Sequence, residues 1–461
     1  MRIKRKKILA ILIFSFMVCL NLESIPIQSG LNPESSSKEL VTNFLNAVNS
    51  GNREVMGAFI SENYDPNVLK QAPLSMVVSM NIEFYYQTGG LGYELIKVNP
   101  STAKSVSVDL YNKLTESYVN MQIPVTDTST LKINWFVRTE QIKPQEGYKQ
   151  VKHFSEKEML EKVNIGLNKM KDDDEFSGAI LIAKDGRPVF IEAIGDASKS
   201  YQIKNKTDTK FNIASVGKIF TGLAIMQLAE QGKLYFDDKV DKYVGAEWLN
   251  PEVASKIQIK HLLTHTSGLG DYFRDAYAQN NIPAFRSLSD YKTLLADDEL
   301  AFEPGTRFLY SNSGMLILGV IIEKVSGKPY FEYLEKHIFA PAGMNNTGGF
   351  YKDRPVKNRA TGYTKIYENT GVTFDNHQYT RVLRGSPSGG AYSTVEDFLK
   401  FDLALRTNKL LSIESTELLF MGRPELNAGF HSYGFFIEEG VAGKIASHSG
   451  DGRGVYAQFN M

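Results

Sequence analysis

Hydrophobic positions along this chain change their period several times, and the changes divide it into segments. Residues 8–20 form an apolar run behind Arg2, Lys4, Arg5, Lys6 and Lys7. A membrane-spanning helix needs about 20 apolar residues, so the run reads as the core of a signal peptide within residues 1–29. A retained membrane anchor is the alternative. A polar, serine-rich spacer follows at 32–38. Leu40, Val41, Phe44, Leu45 and Val48 then recur at steps of three and four, which predicts a helix. After the break at Asn49-Ser50-Gly51-Asn52 a second short helix is predicted over 55–60. Strands are predicted over 93–98, 104–111, 118–123 and 131–138; in the last, Ile133, Trp135 and Val137 alternate with Lys132, Asn134 and Arg138, broken only by Phe136. Helices followed by a meander of strands predict a small α+β domain over 37–140. The polar stretch 141–154, with Pro144 and Gly147, reads as a linker.

A second domain is expected over 155–461. Met159, Val163, Leu167 and Met170 trace one helix face. Two apolar runs, 178–183 and 189–194, flank Asp185-Gly186, a short-hairpin signal. The first run is almost continuously apolar, so a sheet covered on both faces is expected. An apolar helix is predicted over 219–228. Another passes through Leu316, Val320, Ile321 and Val325 and closes at Gly327. Ser393-Thr394-Val395-Glu396 reads as a capping box before the helix at 398–405. Residues 272–300 and 351–384 are the least regular, which makes them candidate walls of a cleft.

Composition narrows the function classes. The 461 residues leave room for two domains and an ample core. Lys+Arg and Asp+Glu number 52 each, and no basic clusters carry interleaved aromatics, so no nucleic-acid partner is expected. The single cysteine, Cys19, lies in the N-terminal apolar run. A chain cleaved beyond it has no thiol, which excludes disulfides, thiol catalysis and cysteine-rich metal sites. Val18 and Phe16 disfavour a lipid anchor at Cys19. His261 and His265 have helical spacing, but no Glu follows His261 as a metalloprotease requires. No metal or other cofactor is expected. Gly-x-Ser-x-Gly is absent, which argues against an α/β-hydrolase.

Three stretches carry candidate chemistry. Ser215 and Lys218 stand one helical turn apart, on one face, at the start of the apolar helix, so Lys218 begins partly desolvated. The spacing alone is weak, because it recurs at Ser35/Lys38, Ser101/Lys104, Ser129/Lys132 and Ser289/Lys292. Tyr310 and Asn312 follow a Pro-Gly turn; a phenol can relay a proton and a carboxamide can orient an amine. Tyr-x-Asn also occurs at Tyr118/Asn120 and Tyr367/Asn369, and packing is the default reading for such a tyrosine. Near the C-terminus, Gly450 in a β-like context would let a substrate backbone approach, and the next N–H could serve an oxyanion hole. His448 taken alone reads as a solvated strand histidine.

Together and in this order, Ser215-Val216-Gly217-Lys218, Tyr310-Ser311-Asn312 and His448-Ser449-Gly450 resemble the motifs of the class C β-lactamase-type serine hydrolases, a group that includes penicillin-binding-protein-like peptidases and esterases. LLTHTSGL at 262–269, FEPGTRFLYSNSG at 302–314, APAGM at 340–344 and SGGAYSTVEDF at 388–398 extend the likeness from about Ser155 onward. The resemblance implies an antiparallel sheet flanked by helices, an all-helical subdomain and an acyl-enzyme mechanism. Ser215 would be the nucleophile, with Lys218 and Tyr310 moving its proton. Asn312, His448, Ser449 and Gly450 would bind substrate, and the N–H groups of Ser215 and Asp451 would hold the oxyanion. His448 stands where many members carry lysine, which favours an ester, D-amino-acid peptide or cell-wall-like substrate over penicillin hydrolysis. The family's sheet continues beyond the Gly450 strand with further strands and a terminal helix, whereas 455–461 supply one strand, so a truncated domain is expected. A non-catalytic binding or sensor protein, or an inactive truncated member, is the alternative. The stretch FLNAVNSGNREVMGAFISENY at 44–64 resembles the opening helices of the nuclear-transport-factor-2-like cone, which implies an accessory domain and a possible homodimer surface.

Overall fold

In the computed structural model of the chain, the described residues run from 33 to 461, apart from 101, 103, 127–130, 135–136, 150–151, 273–284, 297, 369–370, 378–381 and 441–442. The expected signal segment, Cys19 and Trp135 lie outside them. The chain divides into two compact units, one ending at Phe176 and one beginning at Ser177.

The first unit opens with four helices, α1 (Pro33–Ser50), α2 (Arg53–Asn63), α3 (Pro66–Gln71) and α4 (Leu74–Tyr86). Leu40, Val41, Phe44, Leu45 and Val48 are all buried, as their spacing predicts. The expected spacer is not separate, because α1 already begins at Pro33. Asn52 starts α2 by accepting from the N–H groups of Glu54 and Val55, a side-chain cap for two otherwise unpaired donors. Four strands follow as an antiparallel meander, β1 (Tyr93–Val98), β2 (Ser105–Asn112), β3 (Ser117–Pro124) and β4 (Arg138–Ile142). The first three match expectation and the fourth does not. Ile133, at the centre of the expected strand, makes only isolated bridges to Tyr64 and Val125. Its backbone is spent tying down the end of α2, accepting from Asp65 N–H and donating to Asn63 O, each at 2.8 Å. The ladder to β3 is therefore made further on, from Arg138 to Ile142.

Helix α5 (Glu156–Asp172) is opened by a capping box between Ser155 and Glu158. Expected at the head of the second domain, it groups instead with the first unit. Gly166 lies against Leu114 and Gly89, and Lys162 pairs with Glu116 at 2.8 Å.

In the second unit, β5 (Gly178–Lys184) and β6 (Arg187–Ile194) form the expected hairpin, with Asp185 and Gly186 at φ 51° and 73° in its turn. The expectation that this sheet is covered on both faces is overturned: nearly all residues of its strands are half-buried or exposed, and Ile191 is 38% exposed. Among the described residues no third strand pairs with either edge, so the apolar run is only partly covered. Short pairs follow, β7 (Asp196–Ser198) with β8 (Ile203–Lys204), and β9 (Phe211–Asn212) with β12 (Tyr392–Ser393). Residues 351–384, expected to be irregular, contain a hairpin of β10 (Tyr363–Glu368) and β11 (Gly371–Asn376). Strands β13 (Phe436–Gly440), β14 (Gly443–Gly452) and β15 (Val455–Asn460) make an antiparallel sheet with β14 in the centre.

Helix α6 (Lys218–Glu230) and the helix Asn312–Ser326 are both buried along most of their length, and they lie in the core of this unit. Gly327 ends the second of them at φ 67°, as expected. The helix expected at 398–405 begins earlier, at Val395, and runs to Arg406. Its cap is Thr394, which accepts from Asp397 N–H at 3.1 Å. Glu396 turns away to accept from Thr207 at 3.1 Å.

Candidate active site

The turn that carries Ser215 is fastened before it begins. Strand β9 pairs with β12, Ile213 N–H donates to Ala391 O at 2.9 Å, and the Asn212 side chain accepts from Ala214 N–H at 2.8 Å. Ala214 then takes φ 42°, a left-handed conformation that costs a residue with a side chain free energy. A single 3-10 turn, Ala214–Gly217, carries Ser215 and runs directly into α6.

Ser215 and Lys218 meet as their spacing predicts. Lys218 Nζ donates to Ser215 Oγ at 3.0 Å and also to the carbonyl of Ser388. The lysine is fully buried. Desolvation drives its pKa down to about 7, against the pull of Asp271 toward the charged form. An amine that is ordinarily an ammonium ion at neutral pH is thus poised to accept a proton there.

Tyr310 reaches the same point from the other side of the core. Its ring centroid lies 4.8 Å from Lys218 Nζ, and its buried hydroxyl lies beside Ser215, which works against the effect of burial on its pKa. Burial raises its pKa, so the phenol stays protonated. Its backbone is set by His265, which has φ 56°. The carbonyl of His265 accepts from Leu309 N–H at 2.8 Å, its Nδ1 accepts from Ser311 N–H at 3.1 Å, and its ring packs against that of Tyr310 at 4.4 Å, tilted by 32°. Accepting at Nδ1 places the proton of the neutral ring on Nε2. Asn312 opens the helix Asn312–Ser326, capped by Ser311, and donates through Nδ2 to Asp271 Oδ2 at 2.7 Å.

The third stretch lies on β14. His448 and Gly450 face inward, while Ser449 is half-buried and Asp451 exposed. His448 is fully buried rather than solvated; its Nδ1 bonds Ser449 O at 2.6 Å, and burial holds its pKa down to about 3. Gly450 packs directly on the nucleophile turn: a Cβ there would lie 2.4 Å from Ile213 O and 2.8 Å from Ser215 N. Gly389, at φ 138°, closes the opposite side, where a Cβ would lie 2.4 Å from Ala214 O. Both glycines are required by close approach, and Gly389 by conformation as well.

The structure thus gathers Ser215, Lys218 and Tyr310 around one hydroxyl, with Asn312 joined to them through Asp271 and Gly450 against the nucleophile's N–H. Of the two competing Tyr-x-Asn pairs, Tyr118/Asn120 has another fate, since Asn120 donates to Asp109 at 2.6 Å within the first unit's sheet, and Asn369 of the other lies outside the described residues. Sequence reasoning missed Asp271, Ser388 and the role of His265. His265 and Ser388 fall within the LLTHTSGL and SGGAYSTVEDF stretches, whose pattern marks them without stating what they touch, and Asp271 lies just beyond the first. Among the described residues no cluster of His, Cys, Asp and Glu could hold a metal ion.

Residues 168–461 match the β-lactamase family. The chain is 33% identical over 289 residues to a penicillin-binding protein of Bacillus subtilis strain 168, covering 60% of this chain and 63% of that protein. It thus spans less than two thirds of that relative's length. A penicillin-binding protein structure from Bacillus halodurans superposes with a TM-score of 0.57 at 34% identity, covering 64% of this chain and 90% of that one. The structure of EstCE1, a hydrolase with promiscuous acyltransferase activity, gives a TM-score of 0.51 at 25% identity, covering 61% and 85%. The chain therefore belongs to the β-lactamase family of penicillin-binding-protein-like serine hydrolases.

Proposed function

We propose that this protein is an exported serine acyl hydrolase that works through an acyl-Ser215 intermediate on esters or D-amino-acid-containing, cell-wall-like peptides. The observation that carries the reading is the buried Lys218 amine at 3.0 Å from Ser215 Oγ with its pKa near 7. In the first step neutral Lys218 takes the Ser215 proton as Oγ attacks the carbonyl carbon. Tyr310, beside the same oxygen, relays that proton from Lys218 to the leaving group. The C–O or C–N bond to that group breaks, and Ser215 is left acylated. A water molecule, deprotonated by the same pair, then releases the acid and restores the serine. The N–H groups of Ser215 and Asp451 would hold the oxyanion, and losing one such donor typically costs about 10²–10³ in rate.

His448 supports an ester or peptide over a penicillin as substrate. Buried and held neutral, it offers no cation to a substrate carboxylate. The similarity to penicillin-binding proteins and to a named hydrolase supports the substrate class at this coarse level. Export rests on the basic and apolar N-terminal pattern alone. The first unit, with helices ahead of a four-stranded meander, is proposed as a nuclear-transport-factor-2-like accessory domain and a surface for self-association.

Intact-protein mass spectrometry after exposure to a fluorophosphonate or a penicillin tests the reading. A covalent adduct on the full chain that disappears in Ser215→Ala is the expected result. No Ser215-dependent adduct on folded protein would overturn it and favour a non-catalytic binding protein.

A further inference from the structure

One acidic side chain acts on the reacting groups from outside the three motifs. Asp271 accepts from Asn312 Nδ2 at 2.7 Å, and its negative charge favours the ammonium form of Lys218 and the neutral form of Tyr310. The neighbouring backbone is tied to the same place: Ser311 Oγ donates to Gly270 O at 2.8 Å and accepts from Gly314 N–H at 2.9 Å. Residues 270–271 and 311–312 are therefore joined twice, once through a carbonyl and once through a carboxylate.

A carboxamide has two N–H bonds and one acceptor oxygen. With one N–H committed to Asp271, the amide plane of Asn312 is fixed, and its remaining polar atoms are turned elsewhere. The other titratable groups around Lys218 are Tyr310, His265, His431 and His448. Burial keeps the three histidines neutral, with His431 and His448 held down to about 3 and His265 well below its ordinary value. Burial also keeps the Tyr310 phenol protonated. Between pH 5 and 9 none of these four changes charge, which leaves Asp271 as the charged group that opposes the desolvation of Lys218.

Resting on the acyl-enzyme reading above, we infer that Asp271 is a positioning residue of this site: it orients the Asn312 carboxamide and governs how much of Lys218 is available as a base. It acts through two groups that do the work, and a nearly isosteric, uncharged replacement separates its two roles.

The experiment is the second-order rate of Ser215 labelling by a fluorophosphonate, measured on the full chain from pH 5.5 to 9. The wild type is compared with Asp271→Asn, Asp271→Glu and Asp271→Ala, and circular dichroism checks that each is folded. In the wild type the rate climbs as Lys218 loses its proton. Removing the negative charge in Asp271→Asn disfavours the ammonium form, so the climb moves to lower pH by roughly one unit, in the range expected for loss of a nearby opposite charge. Asp271→Glu keeps the wild-type midpoint. Asp271→Ala shares the shift and also loses about tenfold or more at the plateau, because Asn312 is no longer held. A residue that mattered only for folding would lower the plateau without moving the midpoint. Profiles of Asp271→Asn and wild type that superimpose would overturn the inference while leaving the acyl-enzyme reading intact. A wild type that does not label at any pH would overturn both.

Discussion

At the scale of single residues, the site depends on where charge is refused. Lys218 enters the core as the first residue of α6, where every position through Leu228 is buried. Its lowered pKa gives the sign of the pH dependence directly. In the proposed mechanism the base is the neutral amine, whose population rises with pH, so acylation is expected to rise through about pH 7 toward a plateau. Lys218→Met keeps the apolar length and removes the base; labelling of Ser215 should fall by about 10²-fold or more with the circular dichroism spectrum unchanged. The same refusal governs His448. Installing the lysine that other members carry, His448→Lys, would not add a substrate-binding cation. It would bury a second amine within the field of Lys218 and cost roughly 3–5 kcal/mol, as an uncompensated buried charge does. Denaturant unfolding should register that loss, and an unchanged midpoint would place the new amine in solvent.

At the scale of elements, close backbone approach holds the nucleophile turn. Gly450 on β14 and Gly389 in the loop before β12 press on Ile213, Ala214 and Ser215 from two sides, at distances where a methyl group meets backbone rather than a flexible side chain. Gly450→Ala must push β14 away from Ser215 N, so the labelling rate should drop about 10²-fold, comparable to losing an oxyanion donor, while the unit stays folded. Labelling at the wild-type rate in a folded Gly450→Ala protein would show that β14 does not need to touch the turn. This element also marks what the sequence could reveal. Periodicity located β1, β2, β3, α6 and the helix Asn312–Ser326, because each repeats one local pattern of burial. It misplaced β4, since Ile133 looks like a strand residue but spends its backbone on α2. It misread the β5–β6 hairpin, since an apolar run reports what could be buried and not what lies beside it. Ser215, Lys218, Tyr310 and Gly450 were legible as ordered motifs. Asp271 was not, because its link to Asn312 joins residues 41 apart in sequence.

At the scale of the whole molecule, the two units bury separate hydrophobic cores with no residue in common. Phe44 anchors the first, packed at 5.6 Å from Phe59 and 6.4 Å from Phe84. Phe220 anchors the second, edge-on to Phe339 at 5.0 Å and Phe401 at 5.1 Å. Truncating either ring to alanine removes transfer free energy and leaves a cavity, a combined cost of about 3–5 kcal/mol. Separate cores make that cost local. In urea, Phe44→Ala should bring forward the loss of far-UV signal from α1, α2 and α4, while the urea concentration that abolishes Ser215 labelling stays at its wild-type value. Phe220→Ala should do the reverse, since α6 carries both this ring and Lys218. Following circular dichroism and fluorophosphonate labelling along the same urea series distinguishes the two. If Phe44→Ala lowers both midpoints together, the cores unfold as one cooperative unit, and the first unit contributes stability to the catalytic one.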